Sequence, residues 1–525
     1  MTKTVSPDLL LLHPGTNKKV YEKLADDFAA VEPPFAAALA AGFVRDKGYK
    51  VELLDANAEK LTAEETAERV LEYNPRLIGI VVHGQQPSAS SHLMGAIGDT
   101  CREIKGRTDA PIFLRGIHPS SLPERTLREE SCDFVARGEG YHTILGLLEG
   151  KEKSKIPGLA WLDHKVFQMN KTEPLIQNLD EELSNVAWDL LPIEKYRCHE
   201  WHAFPVGIEN RQPYTSLYTS LGCPYKCTFC CINAEFKAAI AENKGNGHLK
   251  NKNESDLLSV LDSTNPAIRY WSPDTVIKHI DYLVQNHGIK NIKFIDEMFV
   301  FNTKHVEGIA DKIIERGYDL NIWAYARIDT VKNRKLLEKI KQAGINWLVL
   351  GIESANTEIR HGADKKFGND DIFKHVQQVE DVGINVLGNY MVGLRHDTHE
   401  TMQQTLDMAL ELNNPWFNIY ATMAYPGAPD YNWAKEKGIA LPGDSNVPGG
   451  WTAYSHHSYY TLPLATDNLP ASEVLKFRDK AWMEYFHNPS YISLVRKRFG
   501  NSAVNYIEKM RSHKIKRRIL GDEKD

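Results

Sequence analysis

The hydrophobic residues in the first 150 positions form short runs rich in Val, Ile and Leu, separated by helix-length segments. Short apolar runs are typical of buried strands, and the longer segments between them favour helices. The predicted strands cover 8–12, 51–54, 77–82, 112–114 and 134–136, and the predicted helices cover 35–47, 63–73, 88–104 and 124–130. This alternation predicts an α/β fold with a doubly wound, flavodoxin-like parallel sheet.

The same alternation resumes at residue 214. Six further strands are predicted, at 214–221, 292–295, 322–326, 347–350, 386–392 and 417–420. Ser272-Pro273-Asp274 is a typical helix start, with a serine cap, a proline in the first turn and an acidic residue near the helix dipole. The second half of the chain therefore predicts a partial or complete TIM-like (β/α) barrel.

Four regions follow from these patterns. Residues 1–150 are the doubly wound domain, 151–213 a linker, 214–431 the barrel, and 432–525 a mainly helical C-terminal module with helices at 471–486 and 504–513. Within the linker, the apolar run 159–162, the turn Asp163-His164-Lys165 and the pair Val166-Phe167 predict a short hairpin.

Composition excludes several classes of protein. The 42% hydrophobic and 25% charged residues are ordinary for a globular chain, and no apolar run is long enough for a membrane span. A net charge of −6 gives no argument for nucleic acid. With seven cysteines and no recognisable secretion signal, we expect a cytoplasmic protein. The basic run 514–518 is expected to be a solvated tail, or else to contact an anionic surface.

The chemistry of the chain centres on three cysteines, Cys223, Cys227 and Cys230, spaced CxxxCxxC. Three thiolates within eight residues suit one soft metal centre, and we favour an iron–sulfur cluster over structural zinc or no metal. Three thiolates on a four-iron cluster leave one iron open, which predicts a reaction site. Cys231 breaks the spacing and is left out of the set.

The stretch Ser220-Leu221-Gly222-Cys223-Pro224, followed by Cys227 and Cys230, resembles the signature of the radical S-adenosylmethionine (SAM) superfamily. The resemblance implies a [4Fe-4S] cluster whose open iron binds the amino and carboxylate groups of SAM. It also implies that an electron from the cluster cleaves SAM to a 5′-deoxyadenosyl radical.

Polar residues at the ends of the predicted barrel strands extend this resemblance. Parallel barrels place functional side chains at that end, although each residue alone could merely pair with a neighbouring strand. The resemblance implies SAM contacts from Phe229 against adenine, from Asp296 and Glu297 to the amino group, and from Arg327 to the carboxylate. Glu353, Ser354 and Tyr425 lie in matching strand-end segments.

Glycine- and histidine-containing turns follow the strands of the N-terminal sheet. Segments 32–35, 74–80, 116–119 and 138–140 are similar to the cobalamin-binding domain that accompanies some radical SAM barrels. The resemblance implies cobalamin contacts from His83, Gly84, Gly116, His118, Gly138 and Glu139, though ordinary turn residues remain the alternative. The DxHxxG motif that supplies a cobalt-ligating histidine is missing, so the lower cobalt face is expected to be open, hydrated or met by another loop.

Methylation of an unactivated carbon in a small-molecule substrate is the reaction that the resemblance favours, with flavodoxin or ferredoxin as an expected electron donor. The alternatives are a non-methylating rearrangement or an oxidative cyclisation like that of the anaerobic porphyrin-ring cyclases, and a non-catalytic cobalamin or redox sensor. The polar insertion between Ile232 and Ile268 is expected to be a surface loop, or else a lid over the cluster.

Overall fold

A computed structural model describes residues 6–84, 87–243 and 254–524 of the protein. Its N-terminal sheet contains β1 (Leu9–His13), β2 (Val51–Asp55), β3 (Leu77–Val82), β4 (Ile112–Gly116), β5 (Phe134–Ala136), β6 (Leu159–Asp163) and β7 (Val166–Met169). The strands lie in the order β2-β1-β3-β4-β5-β6-β7, and the first five pair in parallel. The predicted doubly wound sheet is therefore confirmed.

Seven helices accompany this sheet in the described residues: α1 (Asn17–Tyr21), α2 (Phe35–Asp46), α3 (Ala63–Tyr73), α4 (Met94–Lys105), α5 (Ile117–Ser121), α6 (Pro123–Glu129) and α7 (Tyr141–Leu148). The strands were predicted to within two residues at each end because continuous apolar runs mark parallel strands that are buried on both faces. The predicted helix over 88–104 is instead a 3₁₀ segment, Pro87–Leu93, followed by α4.

Residues 159–169 of the predicted linker add two strands to the N-terminal sheet. β6 and β7 form the predicted hairpin, but β6 also pairs antiparallel with β5 and so extends the N-terminal sheet. The remainder of this region contains short helices, including α8 (Leu179–Glu182) and α9 (Glu200–Ala203).

The second sheet is all parallel and has six strands. They are β8 (Tyr214–Leu217), β11 (Asn291–Phe294), β12 (Asn321–Arg327), β13 (Ile345–Glu353), β14 (Asn385–Val392) and β15 (Trp416–Ala421), in the order β15-β14-β13-β12-β11-β8. The predicted strand 214–221 is divided, because β9 (Ser220–Gly222) turns away and pairs with β10 (Ile268–Tyr270).

Helices connect these strands as in a (β/α) barrel. They are α12 (Pro273–His287), α13 (Thr303–Arg316), α14 (Arg334–Gln342), α15 (Thr357–Gly362), α16 (Asn369–Asp381) and α17 (His399–Leu412). The Ser272 side chain accepts a hydrogen bond from the Thr275 amide and caps α12, as predicted. After β15 come α18 (Pro429–Glu436), then α19 (Ala471–His487), α20 (Pro489–Phe499) and α21 (Asn501–Arg511).

The insertion after the cysteines is helical where it is described. It contains α10 (Ala234–Asn243) and α11 (Glu254–Ser263), and most of α10 is buried, so the expected surface loop is wrong for this part. Residues 244–253, the middle of the insertion, lie outside the described residues.

One hydrophobic core joins the two sheets. The alanine-rich helix α2 lies between them, and the Phe35 ring packs 5.6 Å from the ring of Tyr218, 5.8 Å from Trp188 and 6.5 Å from Trp271. This packing brings the carboxyl edge of the N-terminal sheet against the barrel. No helix in the described part of the chain is both long enough and apolar enough to cross a membrane.

Candidate cofactor and substrate sites

The cysteine loop is fixed by the side chain of Asn233. Its Oδ1 atom accepts from the Cys223 amide at 3.1 Å, and its Nδ2 atom donates to the carbonyls of Cys223 and Tyr225 at 3.0 and 3.2 Å. Gly222 has a φ of +93°, and an added Cβ would lie 2.2 Å from the Ala267 carbonyl. The residue that opens the loop must therefore be glycine.

The three predicted ligands are shielded thiols. Burial raises the pKa of Cys223 to about 12, and it also raises the pKa of Cys227 and, more strongly, that of Cys230. Such thiols keep their protons until a metal centre takes the thiolates, so the donor chemistry fits an iron–sulfur cluster. Within the described chain, no three His, Cys, Asp or Glu side chains converge closely enough for a single metal ion. A four-iron cluster does not need such a convergence, because its thiolates bind different irons and lie further apart than the ligands of a single ion.

Two cations lie beside Cys227. The Arg327 Nη1 atom is 3.8 Å from the Cys227 Sγ atom, while the guanidinium pairs with Asp329 at 3.0 Å and stacks 3.7 Å from the Tyr225 ring centre. The second cation is Lys365, whose positive charge, like that of Arg327, favours the thiolate form of Cys227. Sequence reasoning missed Lys365 because it lies in a loop after α15.

Glu353 pairs with Lys365, and both side chains are buried. Glu353 has a φ of +67° at an irregular pairing between β13 and β14. A non-glycine residue in this conformation is strained, and such strain is common at functional sites. An added Cβ on Gly351 would lie 2.5 Å from the Lys365 Nζ atom and 2.6 Å from Glu353 Oε1, so the pair occupies the space that this glycine leaves.

Asp296 and Glu297 are adjacent, but their carboxyl groups differ in their hydrogen-bond partners. Asp296 accepts from the amide and hydroxyl of Thr219 and from the hydroxyl of Ser220, at 2.6–3.1 Å. It therefore fixes the turn that separates β8 from β9. The Glu297 Oε1 atom is buried and has no hydrogen-bond partner in the described residues. Burial, followed by the charge of Asp296, raises the pKa of Glu297 to about 8.

The other predicted SAM contacts each have a partner inside the protein. Phe229 packs against a small apolar cluster that includes Met391 and Leu394. Tyr425 stacks on Tyr454 with ring centres 5.0 Å apart. Ser354 is fully buried, and its hydroxyl lies 3.3 Å from that of Thr405, so its side chain has a partner inside the protein.

At the edge of the N-terminal sheet, two of the predicted cobalamin contacts are paired with residues near the cysteine loop. The His83 Nε2 atom is 3.1 Å from Glu235 of α10, and Glu139 lies 2.9 Å from Arg269 of β10. Burial opposes the charge of Glu235, but His83 and Arg115 outweigh it and lower the pKa of this carboxyl. Helix α10 of the insertion is thus held against this edge by the contacts of Glu235 with His83 and Arg115.

The remaining predicted contacts have mainly local partners. Gly84 and Gly138 donate backbone hydrogen bonds to Ser90 and Ser120. Gly116 has a φ of +133°. His118 lies 3.0 Å from the hydroxyl of Ser91 and packs edge-on against Trp451, and burial lowers its pKa to about 3. His118 is therefore a neutral, packed histidine.

Two adjoining cavities separate the N-terminal sheet from the barrel. They enclose about 700 and 500 Å³ of space, including their open mouths, and share Phe35, Ala36, His83 and Tyr218. The first reaches His13 and Asn57 at the sheet edge, and the second reaches Gly222 and Glu297. We call the two together the interdomain crevice. The carboxyl edge of a doubly wound sheet is the place where such folds bind their ligands, so the crevice is the candidate site for cobalamin.

A larger cavity of about 2380 Å³, open mouth included, lies inside the barrel. Its wall carries aromatic side chains of the inward-facing strand positions and of α9, among them Trp201, Trp323, Tyr325, Trp416 and Tyr420.

The C-terminal module closes one side of this large cavity. His456 and His457 line it, and each Nδ1 atom is buried without a hydrogen-bond partner in the described residues. Burial lowers the pKa of both imidazoles, that of His457 to about 3, so both are neutral. The predicted solvated tail is wrong for Arg517, which is buried and pairs with Asp479 at 2.8 Å.

Two family models match the chain. The B12 binding domain model matches residues 22–148, and the Radical SAM superfamily model matches residues 217–409. The protein is therefore a cobalamin-dependent radical SAM enzyme, with a [4Fe-4S] cluster, SAM and cobalamin as its cofactors. These findings confirm the predicted class, fold and cofactors, while the domain boundaries and the roles of individual residues stay predictions.

Among curated proteins, the chain is similar to an uncharacterized methyltransferase, PH0819, from Pyrococcus horikoshii. The two are 26% identical over 469 residues, which cover 88% of this chain and 89% of the relative. The anaerobic magnesium-protoporphyrin IX monomethyl ester cyclase of Rubrivivax gelatinosus is 22% identical over 77% of this chain and 66% of its own.

Among solved structures, the fold is shared with the radical SAM methyltransferase TsrM from Kitasatospora setae, which was determined with cobalamin and a [4Fe-4S] cluster bound. The TM-score is 0.65 at 16% identity, over 96% of this chain and all of that one. The cobalamin-dependent radical SAM enzyme OxsB aligns with a TM-score of 0.66 at 15% identity, over 96% of this chain and 71% of its own.

Proposed function

We propose that the protein methylates an unactivated carbon of a small-molecule substrate. The observation that carries this proposal is the interdomain crevice, because residues beside the cysteine loop and residues at the edge of the B12-binding domain line the same space. The similarity to a curated methyltransferase over most of both chains supports it. When bound, the cluster and SAM supply radical chemistry, and cobalamin supplies methyl-transfer chemistry.

In this proposal, Cys223, Cys227 and Cys230 hold the cluster. Arg327 binds the SAM carboxylate, since its guanidinium lies next to Cys227. The Glu353–Lys365 pair, also close to Cys227, presents one acceptor and one donor to a zwitterionic ligand. Phe229 packs against adenine, while Ser354 and Tyr425 shape the wall behind it. Asp296 positions the cysteine loop instead of contacting SAM, because its carboxylate is already hydrogen-bonded.

Glu297 keeps its predicted place at the ligand amino group, because its Oε1 atom has no hydrogen-bond partner in the described chain. In the crevice, His83, Gly84 and Glu139 border the cobalamin, and Gly116 and Gly138 shape the turns beside it. His118 supports that edge from behind, since it is packed against Trp451.

We assign the large aromatic cavity to the substrate. The buried charged residues of its wall are already paired, as in Lys293–Glu32 at 2.9 Å and Arg478–Asp479 at 2.9 Å. The neutral imidazoles of His456 and His457 can each exchange hydrogen bonds with an uncharged polar group. These features favour a mainly apolar or aromatic molecule with few polar groups. An electron donor such as flavodoxin or ferredoxin would reduce the cluster, and this proposal places the enzyme in the cytoplasm.

An anaerobic assay tests the proposed function. Protein reconstituted with cluster, cobalamin, SAM and a strong reductant is expected to release 5′-deoxyadenosine, S-adenosylhomocysteine and a methylated product when candidate substrates are supplied. Formation of 5′-deoxyadenosine without S-adenosylhomocysteine would favour a rearrangement or cyclisation instead. If SAM stays intact although the cluster is present and reduced, the result would favour the alternative of a non-catalytic cobalamin or redox sensor.

A further inference from the structure

His13 belongs to a chain of oriented side chains at the edge of the N-terminal sheet. It ends β1, and its Nδ1 atom lies 2.9 Å from Oδ1 of Asp55, which ends β2. The same Oδ1 atom accepts from the amides of Asn57 and Ala58 at 3.1 and 3.0 Å. Oδ2 accepts from the hydroxyl of Tyr196 at 2.9 Å. Both carboxylate oxygens of Asp55 therefore have hydrogen-bond partners inside the protein.

This arrangement assigns the tautomer of His13. The Asp55 carboxylate acts as acceptor for all these donors, so the Nδ1 atom of His13 carries a proton. In the neutral imidazole, the Nε2 atom then keeps the lone pair that a metal ion needs. The structure gives Nε2 no hydrogen-bond partner among the described residues, although only 9% of His13 is exposed. Metal-ligating histidines are commonly oriented in this way, with the other ring nitrogen donating to a carboxylate.

The position of His13 in the fold also supports a role in ligand binding. In the order β2-β1-β3-β4, connections leave β1 and β3 in opposite directions, and doubly wound sheets bind their ligands at this switch point. His13 ends β1 there and lines the interdomain crevice, facing Ser216, Tyr218 and Ile295 of the barrel.

Two other histidines line the same cavity. His83, which follows β3, already has its Nε2 atom against Glu235. His92 lies in the 3₁₀ segment before α4, where burial lowers its pKa to about 4. His92 has no carboxylate partner among the described residues, and the carboxylate that orients His83 comes from α10 of the insertion and not from the edge of the N-terminal sheet.

We propose that His13 Nε2 would bind the cobalt of a cobalamin held in the crevice, with Asp55 and Tyr196 as positioning residues. The ligand thus comes from a loop other than the missing DxHxxG motif. The proposal rests on cobalamin binding and not on methyl transfer, because it is tested without SAM or substrate.

Electron paramagnetic resonance of the cobalamin-loaded protein, reduced to the cob(II)alamin state, tests the assignment. A nitrogen ligand splits the cobalt lines into triplets, and protein labelled with ¹⁵N-histidine should show doublets instead. The His13→Ala protein is expected to lose the splitting, whereas His83→Ala and His92→Ala should keep it. Asp55→Asn, which removes the charged acceptor, should weaken or change the splitting while cobalamin remains bound.

Three results would overturn the proposal. One is a wild-type spectrum without nitrogen splitting, which means water or no ligand. Another is a triplet that ¹⁵N-histidine does not alter, which means coordination by the cofactor's own base. The third is splitting that persists in His13→Ala. Should His13→Ala bind no cobalamin, the labelled wild-type spectrum together with the His83→Ala and His92→Ala spectra identifies the ligand.

Discussion

Lys293 of β11 donates to both carboxylate oxygens of Glu32, at 2.9 and 3.1 Å, and so ties the N-terminal domain to the barrel. Both side chains are buried, and the ammonium group also lies 4.8 Å from the Trp323 ring centre. Burial raises the pKa of Glu32 although Lys293 opposes the shift. The pair lines the large aromatic cavity where the two domains meet.

Removing one partner of this pair should lower the free energy of unfolding of the protein. Lys293→Met leaves Glu32 buried without its cation, and breaking a buried pair in this way costs about 3–5 kcal/mol of the free energy of unfolding. Urea denaturation followed by circular dichroism measures the loss. The double variant Glu32→Gln/Lys293→Met should recover much of it, because no buried charge remains.

The matched control is the exposed pair Lys509–Asp27, 2.9 Å apart. Lys509→Met should leave the denaturation midpoint unchanged, because solvent screens both charges. Equal losses from Lys509→Met and Lys293→Met would contradict the argument from burial.

The cysteine assignment predicts a sharp difference between neighbouring residues. Alanine at Cys223, Cys227 or Cys230 should abolish cluster binding, measured as iron and sulfide content and visible absorbance after anaerobic reconstitution. Cys231→Ala should keep the cluster, because Cys231 lies outside the CxxxCxxC spacing. A Cys231→Ala protein without iron, beside a Cys230→Ala protein that retains it, would show that the third ligand was chosen wrongly.

Substitution of Gly351 is expected to weaken SAM binding without loss of the cluster. Its substitution by alanine would place a Cβ against the Glu353–Lys365 pair and displace it. We expect Gly351→Ala to weaken SAM binding at least tenfold, about 1.4 kcal/mol, in isothermal titration of cluster-loaded protein. The iron content should stay unchanged.

Gly362→Ala is the control for this variant, since nothing lies within 4 Å of an added Cβ there. Its SAM affinity should match that of the wild type. If Gly351→Ala also binds SAM normally, the pair has no part in the SAM site.

Most strands and the cysteine motif were predictable because their signals are local. Leu77–Val82 and Phe134–Ala136 are continuous apolar runs, and their bounds were predicted to the residue. The three cysteines lie within eight residues of sequence.

Partners that are distant in sequence gave no such signal. His83 meets Glu235 across 152 positions, and His13 meets Asp55 across 42. Asp296 binds Thr219, because the strand ends at Leu217 and turns, and its predicted ligand contact stays a prediction. Which polar residues remain available for ligands depends on how the elements pack, and hydrophobic periodicity does not report that packing.

The buried carboxyl of Glu297 predicts how stability depends on pH in protein without cofactors. Its pKa in the folded state is about 8, against an ordinary value of 4.5. Between these values the folded protein keeps a proton that the unfolded chain has released. Stability should therefore fall as the pH rises from 5 to 8, by up to about 1.4 kcal/mol per pH unit from this group.

Glu297→Gln removes the titrating group and keeps the shape of the side chain. This variant should lose less stability than the wild type between pH 5 and 8, and at pH 8 it should be the more stable protein. Thermal denaturation at several pH values measures both effects, with the exposed Glu315→Gln as a control that keeps the wild-type slope. An unchanged slope in Glu297→Gln would mean that this carboxyl is already ionised at neutral pH, and the wild-type pH dependence would then have to arise from other groups.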